Sequence, residues 1–250
     1  MSRLYIARNP FPCLFRLKAW LLLGIGLLLP WSASAQTAAW TNAGNMSTAR
    51  VFHTATLLND GTVLVAGGYS IAGDTASAEI YNPTTNSWTA VGSMANARYN
   101  HTATLLNNGE VLVTGGNATG TSAEIYNPAT QTWAVTGSMN VSRYGHTASL
   151  LPNGMVLVAG GCCTTGSVPG YSQPVDEALT SSELWNPATG QWTLTGSMVN
   201  MHVFHTANVL TNGTVLVEGA RRCNSRQARR SSADPRSTIP RPAPGQRSAV

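Results

Sequence analysis

A short alternating stretch followed by a continuous apolar one recurs along the middle of the chain. It reads HTATLLNDGTVLVAGG from His53, HTATLLNNGEVLVTGG from His101, HTASLLPNGMVLVAGG from His146 and HTANVLTNGTVLVEGA from His205. The first half reads as one strand and the Val-Leu-Val half as the next. Between the halves stand Asp60-Gly61, Asn108-Gly109, Asn153-Gly154 and Asn212-Gly213, which predict tight hairpins of type I′. After each of the first three units a variable loop leads to SAEIYNP, SAEIYNP or SSELWNP, a third strand ended by Asn-Pro. A fourth strand carries Trp88, Trp133 or Trp192, and Gly-Ser-Met follows from Gly92, Gly137 and Gly196. Trp40 and Met46 lie 48 residues before Trp88 and Met94, so the outer strand of an earlier unit opens the array.

Self-similarity at this period is the signature of a repeat architecture in which each unit is one small sheet. The double glycines (Gly67-Gly68, Gly115-Gly116, Gly160-Gly161) imply close backbone approach at a strand end. Together with the later tyrosine and tryptophan they resemble kelch repeats, and the HTATLL…NGxVLVAGG wording is similar to the bacterial, galactose-oxidase-like kelch type. The resemblance spans roughly residues 40–220. It implies an all-β kelch propeller, one four-stranded blade per unit. The sequence holds three full blades and parts of a fourth, so the expected propeller is incomplete. The aromatic pair, seven residues apart in each full unit, is expected to pack between neighbouring sheets.

Charge divides the chain differently. Residues 1–35 carry four basic groups and no acid, residues 221–250 eight arginines and one acid, and residues 36–220 three arginines against nine acids. The overall +5 therefore describes the two ends and gives the core no nucleic-acid-binding character. At the N-terminus, basic residues, an apolar run from Ala19 to Leu29 and Ala33-Ser34-Ala35 form the pattern of a secretory signal peptide over residues 1–35. The expected protein is secreted, periplasmic or on the cell surface, with no membrane span after cleavage. Residues 221–250 read as a disordered basic tail rich in Pro and Arg. In a shifted codon frame, the codons of the stretch around 237–248 can spell another Tyr…Trp…Gly-Ser piece of the repeat. The expectation drawn is a frameshift near residues 218–222 and a truncated array.

Candidate chemistry largely dissolves into the repeat. His53, His101, His146 and His205 hold one repeat position, and His202 falls where Arg50, Arg98 and Arg143 fall. Repeat-equivalent residues are ordinarily structural, so each histidine is expected to cap or pack the strand start of its own blade. Arg50, Arg98 and Arg143 with Glu79, Glu124 and Glu183 are expected to form one buried ion pair per blade. No catalytic residue, metal ligand or cofactor is assigned, and the protein is read as a non-enzyme. Cys162 and Cys163 head the longest insertion and are disulfide candidates in an oxidising compartment. Contacts with an unidentified protein or carbohydrate are expected from the variable loops 69–77 and 162–182, with Tyr69, Asp74, Tyr171, Asp176 and Glu177 as candidates. Nucleic acid is not an expected partner, and an open propeller could oligomerise. The alternative is a fragment of a galactose-oxidase-like copper oxidoreductase whose catalytic blades lie outside this chain.

Overall fold

The computed structural model describes residues 3–7, 40–116, 120–165, 175–219 and 248–249. The described residues contain strands and turns and no α-helix. Three of the sheets are four-stranded antiparallel blades. Blade I joins Thr54–Leu57, Val63–Ala66, Ala78–Asn82 and Ser87–Val91 in that order. Blade II joins Thr102–Leu105, Val111–Thr114, Ala123–Asn127 and Thr132–Val135. Blade III joins Thr147–Leu150, Val156–Ala159, Ser182–Trp185 and Trp192–Thr195. Blade IV has its inner strands, Thr206–Val209 and Val215–Glu218, with Ser248–Ala249 in the third-strand place. The four first strands lie side by side in sequence order, which makes the array a propeller arc with these strands innermost.

Each apolar position finds its partner in the next blade. Leu58, Leu64 and Met94 of blade I pack with Val111, Val113 and Tyr126 of blade II. Leu106, Leu112 and Met139 meet Val156, Val158 and Trp185 of blade III, and Leu157 and Met198 meet Val215 and Val217 of blade IV. The second strand is apolar throughout because its two faces serve two different cores.

The hairpin turns differ from the expected type I′. That turn needs a positive φ at both central residues, yet only the glycines have one: Gly61 at 83°, Gly109 at 86°, Gly154 at 84° and Gly213 at 84°. In blade I the Gly61 N–H donates to the Leu58 carbonyl at 3.0 Å and the Leu58 N–H to the Thr62 carbonyl at 2.8 Å. This is a type I turn followed by a left-handed glycine and a bulge. The Asp or Asn acts through its side chain instead. Asp60 Oδ1 accepts the Thr62 N–H at 2.9 Å, and Asn108, Asn153 and Asn212 do the same two residues on, a local Asx turn.

The aromatic pair packs in the inter-blade cores as expected, Tyr126 and Trp133 between blades I and II and Trp185 and Trp192 between blades II and III. Tyr81 faces Trp88 across two strands of one blade, with ring centroids 5.1 Å apart, and Tyr126 faces Trp133 in the same way at 5.0 Å. The tryptophan N–H also bonds across to the neighbouring element. Trp88 Nε1 donates to the Ala43 carbonyl at 3.0 Å, Trp133 to Gly92 at 2.7 Å and Trp192 to Gly137 at 2.8 Å. Ala43 belongs to Trp40–Asn45, which lies beside the outer strand of blade I and pairs with Arg3–Ala7. Residues 1–2 and 8–39, which hold most of the leader pattern, and all of the basic tail but Ser248–Ala249 lie outside the described residues. No helix among the described residues is long and apolar enough to cross a membrane.

Candidate functional site: the mouth of the channel

Three sets of repeated polar contacts hold the arc and determine what is left exposed. The first is the buried ion pair. Arg50 meets Glu79 at 2.9 Å, Arg98 meets Glu124 at 2.7 Å and Arg143 meets Glu183 at 2.8 Å, all with side chains almost wholly buried. Each arginine also donates to the first glycine carbonyl of the double glycine in its own blade: Gly67, Gly115 or Gly160. Each glutamate accepts backbone N–H groups from the linker entering its blade: Ser47 for Glu79, Ala95 and Asn96 for Glu124, Asn140 and Val141 for Glu183. Burial alone would raise the Glu183 carboxyl pKa, but hydrogen bonds from Asn140, Arg143 and Val141 together hold it below its ordinary value. Burial lowers that of the Arg98 guanidinium, and Glu124 opposes the shift.

The second set is the histidines, which bridge blades rather than cap their own strands. Thr54 Oγ1 lies 2.9 Å from His101 Nε2, Thr102 Oγ1 2.9 Å from His146 Nε2, and Thr147 Oγ1 2.9 Å from His205 Nε2. Burial pushes the His101 imidazole down to about 3 and His205 to about 4, and holds His146 well below its ordinary value; the Arg98 and Arg143 guanidinium groups add to the shifts of His101 and His146. The rings are therefore neutral. Among the described residues, no group of three His, Cys, Asp or Glu side chains converges as a metal site would.

The third set is a belt of backbone bonds around the channel mouth. The Asn100 N–H donates to Phe52 O at 3.1 Å, Gly145 to Asn100 O at 3.0 Å and Phe204 to Gly145 O at 2.7 Å. These four residues, each just before the repeat histidine, all have a left-handed backbone: Phe52 at 56°, Asn100 at 54°, Gly145 at 61° and Phe204 at 48°. Glycine and asparagine suit that conformation; for a bulky aromatic it stores strain of about 1–3 kcal/mol. Both phenylalanines are nonetheless more than half exposed, 59% and 56%.

Around them lies a depression of about 300 Å³ lined by Phe52, His53, Asn100, His101, Gly145, His146, Phe204 and His205. Its rim is aromatic. Phe52 stands 6.2 Å from Tyr99, Tyr69 makes an edge contact with Tyr99 at 5.4 Å, and Tyr144 stands 6.3 Å from Phe204. The variable loops start here, since Tyr69 exchanges two backbone bonds with Val51, and Cys162 two with Tyr144.

Of the sequence candidates, Tyr69 lies on this rim, and Asp74 pairs with it across a two-residue hairpin. Asp176 and Glu177 lie on Val175–Ala178, opposite Thr164 and Cys163 of Cys162–Thr165. Tyr171 falls outside the described residues. Cys162 is disulfide-bonded, and its partner sulfur belongs to a residue whose side chain is outside those described. Phe52, Tyr99, Tyr144 and Phe204 were missed. The signal that finds them is the residue before the histidine, where two phenylalanines replace the Asn and Gly that a left-handed position favours.

Residues 49–95 match the family model of the Kelch motif. That stretch is blade I with the linker that enters it, and the four-stranded sheets fit a kelch repeat protein. No curated protein matches the chain.

Proposed function

We propose that this chain is an exported, non-enzymatic interaction protein that binds a partner protein at the mouth of its channel. The observation that carries this reading is the pair of strained, exposed phenylalanines. Strain at a position that Asn or Gly would fill without cost marks a site held for something other than stability. The rim around them has the composition of a binding hot spot, with tyrosine and phenylalanine clustered on a rigid frame. The loops that differ most between blades rise from the same end, which gives a route to specificity. The leader pattern of residues 1–35 supports the exported part of this reading.

A photo-crosslinking amino acid at Tyr69 or Phe52, introduced in the producing cell, tests this. One recurrent protein adduct is expected from the mouth and none from Asn153 at a hairpin tip. Adducts from both sites in equal yield, or none from the mouth, would end the proposal. Capture of a glycan by the mouth on a carbohydrate array, without a protein adduct, would replace the protein partner with a saccharide.

A further inference from the structure

Each interior blade offers two faces, and the arc carries one of each only partly covered. On the leading face of blade I, Val65 and Tyr81 stay buried while their neighbours are exposed or half-buried. The leading face of blade I differs from those of blades II and III. Leu57 is 64% exposed, while its equivalents Leu105 and Leu150 are packed against the inter-blade cores. Val63 is half-buried where Val111 and Val156 are fully buried. The trailing face of blade IV differs from those of blades I and II in the same sense. Leu210 is exposed where Leu58 and Leu106 are buried, and Leu216 is half-buried where Leu64, Leu112 and Leu157 are buried. A Cβ at Gly92 or Gly137 would collide with the backbone of the next blade, at Gln131 or Gly190, whereas nothing lies near Gly196.

The polar sets are uncovered at the same two faces. Among the described residues no hydrogen bond uses the Phe52 N–H or His53 Nε2 on the leading side. None uses the Phe204 carbonyl, the Thr206 hydroxyl or the Gly196 carbonyl on the trailing side. Every group on one list is the partner, by repeat position, of a group on the other, apart from Gly196, whose partner would be an outer-strand tryptophan. The two faces are the halves of a contact this protein already makes three times.

We propose that these faces join head to tail between two copies of the chain. Phe52 N–H of one copy donates to Phe204 O of the other, His53 Nε2 meets the Thr206 hydroxyl, and Leu57 and Val63 cover Leu210 and Leu216. Trp40–Asn45 of the incoming copy falls in the outer-strand place of blade IV, beyond Ser248–Ala249. With the leader removed, Arg3–Ala7 no longer pairs with Trp40–Asn45. Closure within one chain is not what the structure adopts, since among the described residues the first and fourth inner strands do not touch as successive ones do. Two arcs give six complete blades and two hybrids, a ring at the upper end of the usual range of about four to eight. Such a contact is heterologous, and it is closed only if the rotation per blade completes the circle.

Light scattering on the purified exported protein tests the proposal, with a mass twice that of the chain expected. Leu57→Asp and Leu210→Asp alter one face each, at side chains that are already exposed in the single chain. Each alone should weaken the dimer at least tenfold while leaving the near-UV circular dichroism unchanged. An equimolar mixture should recover dimers at concentrations where neither variant forms them, because one seam of the mixed pair is intact. Leu57→Thr gives the same readout with a milder change if the Asp variants fold poorly. A monomeric wild type, an open ladder of higher masses, or a dimer indifferent to both faces would overturn the proposal.

Discussion

Phe52 shows how a single residue separates stability from use. Its φ of 56° is one that asparagine already adopts at the same place in blade II, and its side chain is largely in water. Phe52→Asn therefore relieves strain without opening a cavity. A gain of about 1 kcal/mol is expected, which for a domain of this size is a rise in melting temperature of roughly 2–4 °C. The same change should weaken partner binding at the mouth. A calorimetric melt and a binding titration on one variant check both halves, and a variant that melts lower would show that the ring is held for packing. Phe204 is a poorer test, because its ring lies over Gly145 and its removal also loses contact.

Elements are tied together here through the linkers, and Glu124 is the clearest knot. It binds Arg98 within the arriving chain and the N–H groups of Ala95 and Asn96. Glu124→Ala leaves a buried guanidinium and two amides without their acceptor, a loss of about 3–5 kcal/mol. Urea unfolding should show it, and restoration by the double change Arg98→Met with Glu124→Leu would confirm that the uncompensated charge is the cause. The ion pair and the strand order were legible in the sequence because they depend on one repeat alone. The turn type was not, since Asn-Gly suits both a type I′ turn and a type I turn with a left-handed glycine; the choice lies in whether the Asn side chain or its backbone makes the bend. Nor were the His–Thr bonds, because His101 finds Thr54 only after two blades have been laid side by side. The mouth aromatics escaped for the same reason. Tyr69, Phe52 and Tyr99 belong to different segments and meet only around the axis.

At the scale of the whole molecule the neutral histidines set a pH dependence. His101, His146 and His205 have folded pKa values below the ordinary 6.5, so between 6.5 and about 4 the unfolded chain binds more protons than the folded one. Stability is thus fully present above about pH 6.5 and declines as the pH falls toward the folded values. Glu183, held low by its hydrogen bonds, adds to the loss further down, as the pH falls below its ordinary range. Urea midpoints at pH 7, 6, 5 and 4 should fall steadily, starting before any carboxylate titrates. A flat profile from 7 to 5 would mean that the rings ionise freely in the folded arc.

The belt of backbone bonds at the mouth has one more consequence. Its donors and acceptors are main-chain groups, present whatever side chain stands at the position, and each interior blade gives one and takes one. A tandem duplication that copied a repeat in frame would meet familiar surfaces on both sides. Blade number in such an array is therefore free to change by ordinary genetic slippage, with the geometry of closing the circle as the limit rather than recognition between particular blades.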